Sequence, residues 1–226
     1  TLDANGSFSR FSKAKTMKLD FSDVTVVLDR SGSMQSCRTD AEGGVNAFIE
    51  EQKKHPGECA FSLVEFDTEY NFVHKAKPVA EVPPYTLVPR GGTALLDAVG
   101  RAINETGERL AAMKEEDRPS LVVFVIVTDG EENESKEFSR SQIKAMIERQ
   151  QKDYNWQFTF LGANQDAFAE AGAIGIAPAS VGLYHRDKTS VAFAAASSNV
   201  SRMRTASASG QEVDNSYTSE EVKSLS

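Results

Sequence analysis

Seven consecutive apolar residues, Leu121 to Val127, stop abruptly at Thr128-Asp129-Gly130. A run this short and this uniform suits a strand covered on both faces, because a half-exposed strand alternates and a membrane span needs roughly 18 apolar residues. A second run has the same form. Val24 to Leu28 stops at Asp29, and the turn after it carries Ser31 and Ser33 around Gly32. Strands buried on both faces demand helices above and below, and in such sheets ligands bind beyond the carboxyl ends of the strands. Asp29 and Asp129 each stand at such an end.

The rest of the chain supplies the covering helices. Val45, Phe48 and Ile49 share one helical face, and His55-Pro56-Gly57 ends that helix. Residues 59–66 and 70–75 read as a hairpin about Asp67-Thr68-Glu69, at a sheet edge because the returning strand is charged. A Pro-rich connection over 76–92 closes with Arg90-Gly91-Gly92, and Thr93 then opens a helix through Leu95, Val99 and Ile103. Ser139 and Gln142 form a capping box for a helix with Ile143, Met146 and Ile147 inward. A strand over 156–161, a short helix over 166–173, a strand over 180–184 and an Ala-rich helix over 187–203 follow. The pattern predicts an α/β fold: a Rossmann-like, doubly wound, mostly parallel sheet of about six strands, with one antiparallel edge strand and helices on both faces. Residues 1–18 read as a flexible leader and 19–204 as the domain. Residues 205–226 read as a flexible, acidic and Ser-rich tail with at most a brief helix near its end.

The net charge of −8 over 226 residues argues against nucleic acid and anionic membranes, which both need a basic face. No apolar stretch near the start marks a secretory signal, so a cytoplasmic location is expected. Cys37 and Cys59 are too few for a disulfide framework and read as buried thiols. His55, His74 and His185 are scattered, with no Cys/His zinc spacing.

Asp29-x-Ser31-x-Ser33 offers one carboxylate and two hydroxyls, hard oxygen donors that suit Mg2+. The same serines would serve equally as caps of the next helix. The order of this motif, Gly91-Gly92-Thr93 and Thr128-Asp129-Gly130 resembles the von Willebrand factor A domain family, over roughly residues 19–204. There the three loops form a metal-ion-dependent adhesion site. The resemblance implies direct ligation by Ser31, Ser33 and Thr93, with Asp29 and Asp129 acting mainly through water and Asp129 able to move into direct contact. It implies Mg2+, with Mn2+ and Ca2+ as alternatives. The implied function is capture of an Asp or Glu from a partner protein, an AAA-type ATPase or other intracellular assembly being one partner class. Arg30, Arg90, Glu131 and Glu132 flank the motifs as candidate rim residues. The competing reading is a metal-dependent phosphohydrolase or phosphotransferase on a similar sheet. The position two after Asp29 is Ser31 rather than a second acid, and no His in a motif loop offers a base, so no enzyme is expected.

Overall fold

A computed structural model describes residues 17–163 and 166–225. The expected leader lies outside them except for Met17 and Lys18, and Lys18 already belongs to the first strand. The strands are β1 (Lys18–Asp29), β2 (Glu58–Phe66), β3 (Tyr70–Pro78), β4 (Pro119–Thr128), β5 (Gln157–Gly162) and β6 (Val181–Leu183). The helices are α1 (Arg38–Lys54), α2 (Leu95–Ala111), α3 (Arg140–Tyr154), α4 (Ala167–Ala173), α5 (Thr189–Ala208) and α6 (Ser219–Leu225). The sheet order is β3-β2-β1-β4-β5-β6, parallel except for the antiparallel pair of β2 and β3. The expected fold class and edge hairpin are observed.

The apolar run of β4 divides between two cores, as a strand buried on both faces must. Leu121, Val123, Val125 and Val127 pack with α1 and α5, against Phe48, Phe193 and Met203. Val122, Phe124 and Ile126 pack with α2, α3 and α4, against Val99, Ile143 and Ala171. The predicted capping box at Ser139 and Gln142 opens α3, and Asn155 in the left-handed region ends it. Strand order reverses between β1 and β4, whose neighbours run to opposite sides. Leu28 pairs in register with Val127, so Asp29 and Thr128 emerge side by side at this reversal.

The segment expected as a solvated tail is packed instead. α5 runs on to Ala208, and the chain then returns across the sheet's far edge. Tyr217 and Leu225 are buried in the α1/α5 core. Asn215 Nδ2 donates to the Phe158 carbonyl at 2.9 Å and Thr159 Oγ1 donates to Asn215 Oδ1 at 2.8 Å. Arg202 Nη2 donates to Glu221 Oε2 at 3.0 Å. These anchors are single residues spread through a Ser-rich and acidic background, so no periodicity announces them. Ending the chain after Ala208 is expected to cost about 3 kcal/mol, from two buried apolar side chains and an uncovered sheet edge. A fall in the urea midpoint checks this, and an unchanged midpoint would return the segment to solvent.

Candidate metal centre

Three loops meet where β1 and β4 end. Asp29 is buried at the close of β1. Its Oδ1 accepts from the Ser31 backbone N–H at 2.6 Å, and its Oδ2 accepts from the Thr128 hydroxyl at 2.7 Å. Ser31 Oγ and Ser33 Oγ lie 2.9 Å apart, and Ser33 Oγ donates to Asp129 Oδ1 at 2.5 Å. Ser31 makes no side-chain cap to the short 3-10 turn Gly32–Cys37 that leads into α1. The Ser31 hydroxyl instead meets that of Ser33, which in turn meets Asp129.

The second loop arrives through backbone hydrogen bonds. Arg90 N–H donates to the Arg30 carbonyl at 2.8 Å, Gly32 N–H to the Gly91 carbonyl at 3.1 Å, and Ala94 N–H to the Asp67 carbonyl at 3.0 Å. Gly91 has φ +67, and a Cβ there would stand 3.2 Å from Thr68 Oγ1, so glycine permits both the turn and the approach. Asn133 ties the third loop to the second: its N–H donates to the Thr93 carbonyl at 3.0 Å, and its Oδ1 accepts from the Thr93 N–H at 2.9 Å.

Gly130 brings the third loop close against these oxygens. A Cβ built on Gly130 would lie 3.1 Å from Thr93 Oγ1, 3.4 Å from Ser33 Oγ and 3.9 Å from Asp29 Oδ2. The backbone of the third loop thus packs tightly on oxygens of the first and second, with no room for a side chain. Asp129 Oδ2 is buried without a hydrogen bond and lies 3.0 Å from Arg186 Nε in an ion pair. Burial pushes the Asp29 carboxyl up to about 6, against the lowering effect of the Thr128 hydroxyl and Ser31, and nearby Asp129 adds to the rise. Two buried carboxylates and three hydroxyls close together form a donor set that fits a hard divalent cation. Among the described residues no group of three His, Cys, Asp or Glu gathers into a candidate site.

The candidate rim residues divide. Arg30 is not a projecting charge. Its side chain is 11% exposed and bound to Glu65 Oε1 at 2.5 Å and Asp67 Oδ2 at 2.9 Å. Arg90 pairs with the same Asp67 oxygen at 2.7 Å and with Glu69. Both arginines brace the first two loops against the β2–β3 hairpin. Glu132 turns back onto the start of α2, where its Oε2 accepts from the Leu96 N–H at 2.9 Å, a favourable place for a carboxylate. Glu131 is exposed on the third loop. Spacing placed all four beside the motifs, but their directions depend on partners elsewhere in the chain.

Sequence reasoning missed Thr128, Asp67 and Arg186. Thr128 stands beside a named aspartate and was the most accessible of the three. Arg186 lies 57 positions beyond Asp129, and its Nη2 donates to the Asp129 carbonyl at 3.0 Å. No local pattern marks it.

No family model and no curated protein matches this chain. Solved structures do. Proximal thread matrix protein 1 from the mussel byssus aligns with TM-score 0.56 at 16% identity, over 80% of this chain and 46% of that one. The chain therefore spans about half the length of that protein. The von Willebrand factor domain of the type V pilus tip protein Mfa5 from Porphyromonas gingivalis aligns with TM-score 0.56 at 14% identity, over 79% of this chain and 94% of that one. Manganese-loaded TRAP protein from Plasmodium vivax aligns with TM-score 0.51 at 15% identity, over 76% of this chain and 71% of that one. At such identities the likeness speaks for architecture, and the architecture of this chain is that of von Willebrand factor A domains.

Proposed function

We propose that this chain is a non-enzymatic, divalent-cation-dependent protein-binding module that takes an Asp or Glu side chain of a partner protein at Asp29, Ser31, Ser33, Thr93 and Asp129. One observation carries the reading: the hydroxyls of Ser31, Ser33 and Thr93 and the buried carboxylates of Asp29 and Asp129 come together from three separate loops where β1 and β4 end. The matrix and pilus proteins of like fold support a binding role, and the manganese-loaded neighbour supports a divalent ion.

Ser31, Ser33 and Thr93 would hold the cation through neutral oxygens, and Asp29 and Asp129 would hold its waters. Neutral ligands leave positive charge uncompensated on the open side, and a bound Mg2+ would there accept a partner's carboxylate oxygen. Thr128 and the Ser31 N–H fix the Asp29 carboxylate, so the site needs little reorganisation to fill. A cytoplasmic setting belongs to the same proposal. Cys37 and Cys59 are free and buried, and no described helix is long and apolar enough to cross a membrane.

Calorimetry with Mg2+ on this chain is expected to find one saturable site. Gly130→Ala is expected to abolish it, since the methyl group would press on Thr93 Oγ1 and Ser33 Oγ without deleting a donor. Partner capture from cell extract is expected to disappear with chelator. Absence of any saturable cation binding, or Mg2+ binding unaffected by Gly130→Ala, would remove this reading.

A further inference from the structure

A fourth segment reaches the same rim. The turn between β6 and α5 brings Arg186 Nε to 3.0 Å from Asp129 Oδ2, while Nη2 donates to the Asp129 carbonyl at 3.0 Å. The Nε contact is an ion pair without hydrogen-bond alignment, so Oδ2 is partnered by charge alone. The side chain of Arg186 is 49% exposed and that of Asp129 is fully buried, so the guanidinium roofs the carboxylate and faces outward. The turn beneath is fastened. Thr189 Oγ1 donates to the Arg186 carbonyl at 2.7 Å, Lys188 N–H to the His185 carbonyl at 2.7 Å, and Tyr184 N–H to the Gly162 carbonyl at 3.1 Å.

We infer that Arg186 is the specificity-determining residue of this site: it holds Asp129 by its outer oxygen and adds a positive charge to the rim, so that an anionic side chain is selected. The inference rests on the proposed cation site. A divalent ion with Asp29 and Asp129 alone makes a neutral cluster, which attracts a carboxylate weakly. With Arg186 the loaded cluster carries one net positive charge. The guanidinium also engages the oxygen that Asp129 would otherwise turn toward the ion, and so keeps the ion electrophilic. The same charge opposes entry of the cation, so Arg186 exchanges affinity for the ion against affinity for the partner. Exposed Asp187 and half-buried Lys188 follow Arg186 in sequence with opposite signs. A guanidinium stays charged at any working pH, and its fork can hold two oxygens of one residue at once, which an ammonium does less well.

The test uses Mg2+ alone and then acetate on the Mg2+-loaded chain, both by calorimetry, in wild type, Arg186→Gln and Arg186→Lys. Arg186→Gln is expected to bind Mg2+ about fivefold more tightly and acetate about fivefold more weakly, with both changes fading at about 1 M salt. Arg186→Lys is expected to move both in the same directions by about twofold, and it serves if the glutamine variant does not fold. A merely structural strut would lower both affinities together. That result, or wild-type values in both titrations, overturns the inference while leaving the cation site intact. A wild-type chain that binds no Mg2+ overturns the cation site, and the inference with it.

Discussion

Asp29→Asn is expected to do two opposite things: weaken Mg2+ binding roughly 10- to 100-fold and make the metal-free protein more stable. The first follows from removing the charge that orients the waters of the bound ion. The second follows from the site as it stands without a cation. Burial, helped by Asp129, lifts the Asp29 carboxyl from 3.8 to about 6. An acid raised in the fold is ionised at a cost above its folded value, and that cost vanishes below its unfolded value. The fold therefore gains stability as pH falls from about 6 toward 4 in the metal-free state. Asparagine keeps an oxygen for the Ser31 N–H and turns an NH2 toward the Thr128 hydroxyl, which can accept. Its advantage should be about 1–2 kcal/mol at neutral pH and close to nothing at pH 4. Urea midpoints in chelator at the two pH values measure it, with calorimetry for the ion. A variant that is less stable at neutral pH would mean that Asp29 serves the fold rather than a ligand.

Asp67→Ala should bring the largest loss of stability, about 3 kcal/mol, together with a loss of Mg2+ affinity. Asp67 is fully buried between Arg30 Nε at 2.9 Å and Arg90 Nε at 2.7 Å, and its Oδ1 accepts from the Glu69 N–H at 2.6 Å. Removing one partner from a buried ion pair leaves the other charge uncompensated, which costs more than the pair itself contributes. Arg30 keeps Glu65, which also accepts from the Tyr85 hydroxyl at 2.8 Å, so the loss stays near the lower end of that range. The ion affinity follows because Arg30 and Arg90 hold the first and second loops in register through Asp67. Denaturant unfolding and calorimetry read the two effects. A loss under about 1 kcal/mol would place this network with ordinary surface pairs.

The runs Val24–Leu28, broken only by the β-branched Thr25, and Leu121–Val127 were legible as strands because a strand buried on both faces lacks the polar alternation of a half-exposed one. The capping box at Ser139 was legible because its partners lie three residues apart. Ser31 and Ser33 were ambiguous between cap and ligand, because both uses need a hydroxyl after a strand; in the fold Ser31 makes no capping bond and its hydroxyl meets that of Ser33. Arg30, Arg90 and Glu132 were placed at the rim but misdirected, since a charged side chain turns toward whatever opposite charge or helix start lies nearest in space. Tyr217 and Leu225 were assigned to solvent because isolated apolar residues carry no period.

By itself, the sequence determined the sheet, its edge hairpin and the oxygen-bearing residues at the strand ends. Hydrophobic periodicity and turn chemistry are local, and a short chain segment states them completely. Tertiary structure alone decided that β1 and β4 lie side by side, so that Asp29 faces Thr128 and the loops close around Gly130. It alone decided that Arg186 roofs Asp129 and that the last residues seal the far edge. Those contacts join residues far apart in the chain, and their energy depends on distance and burial rather than on order along the backbone.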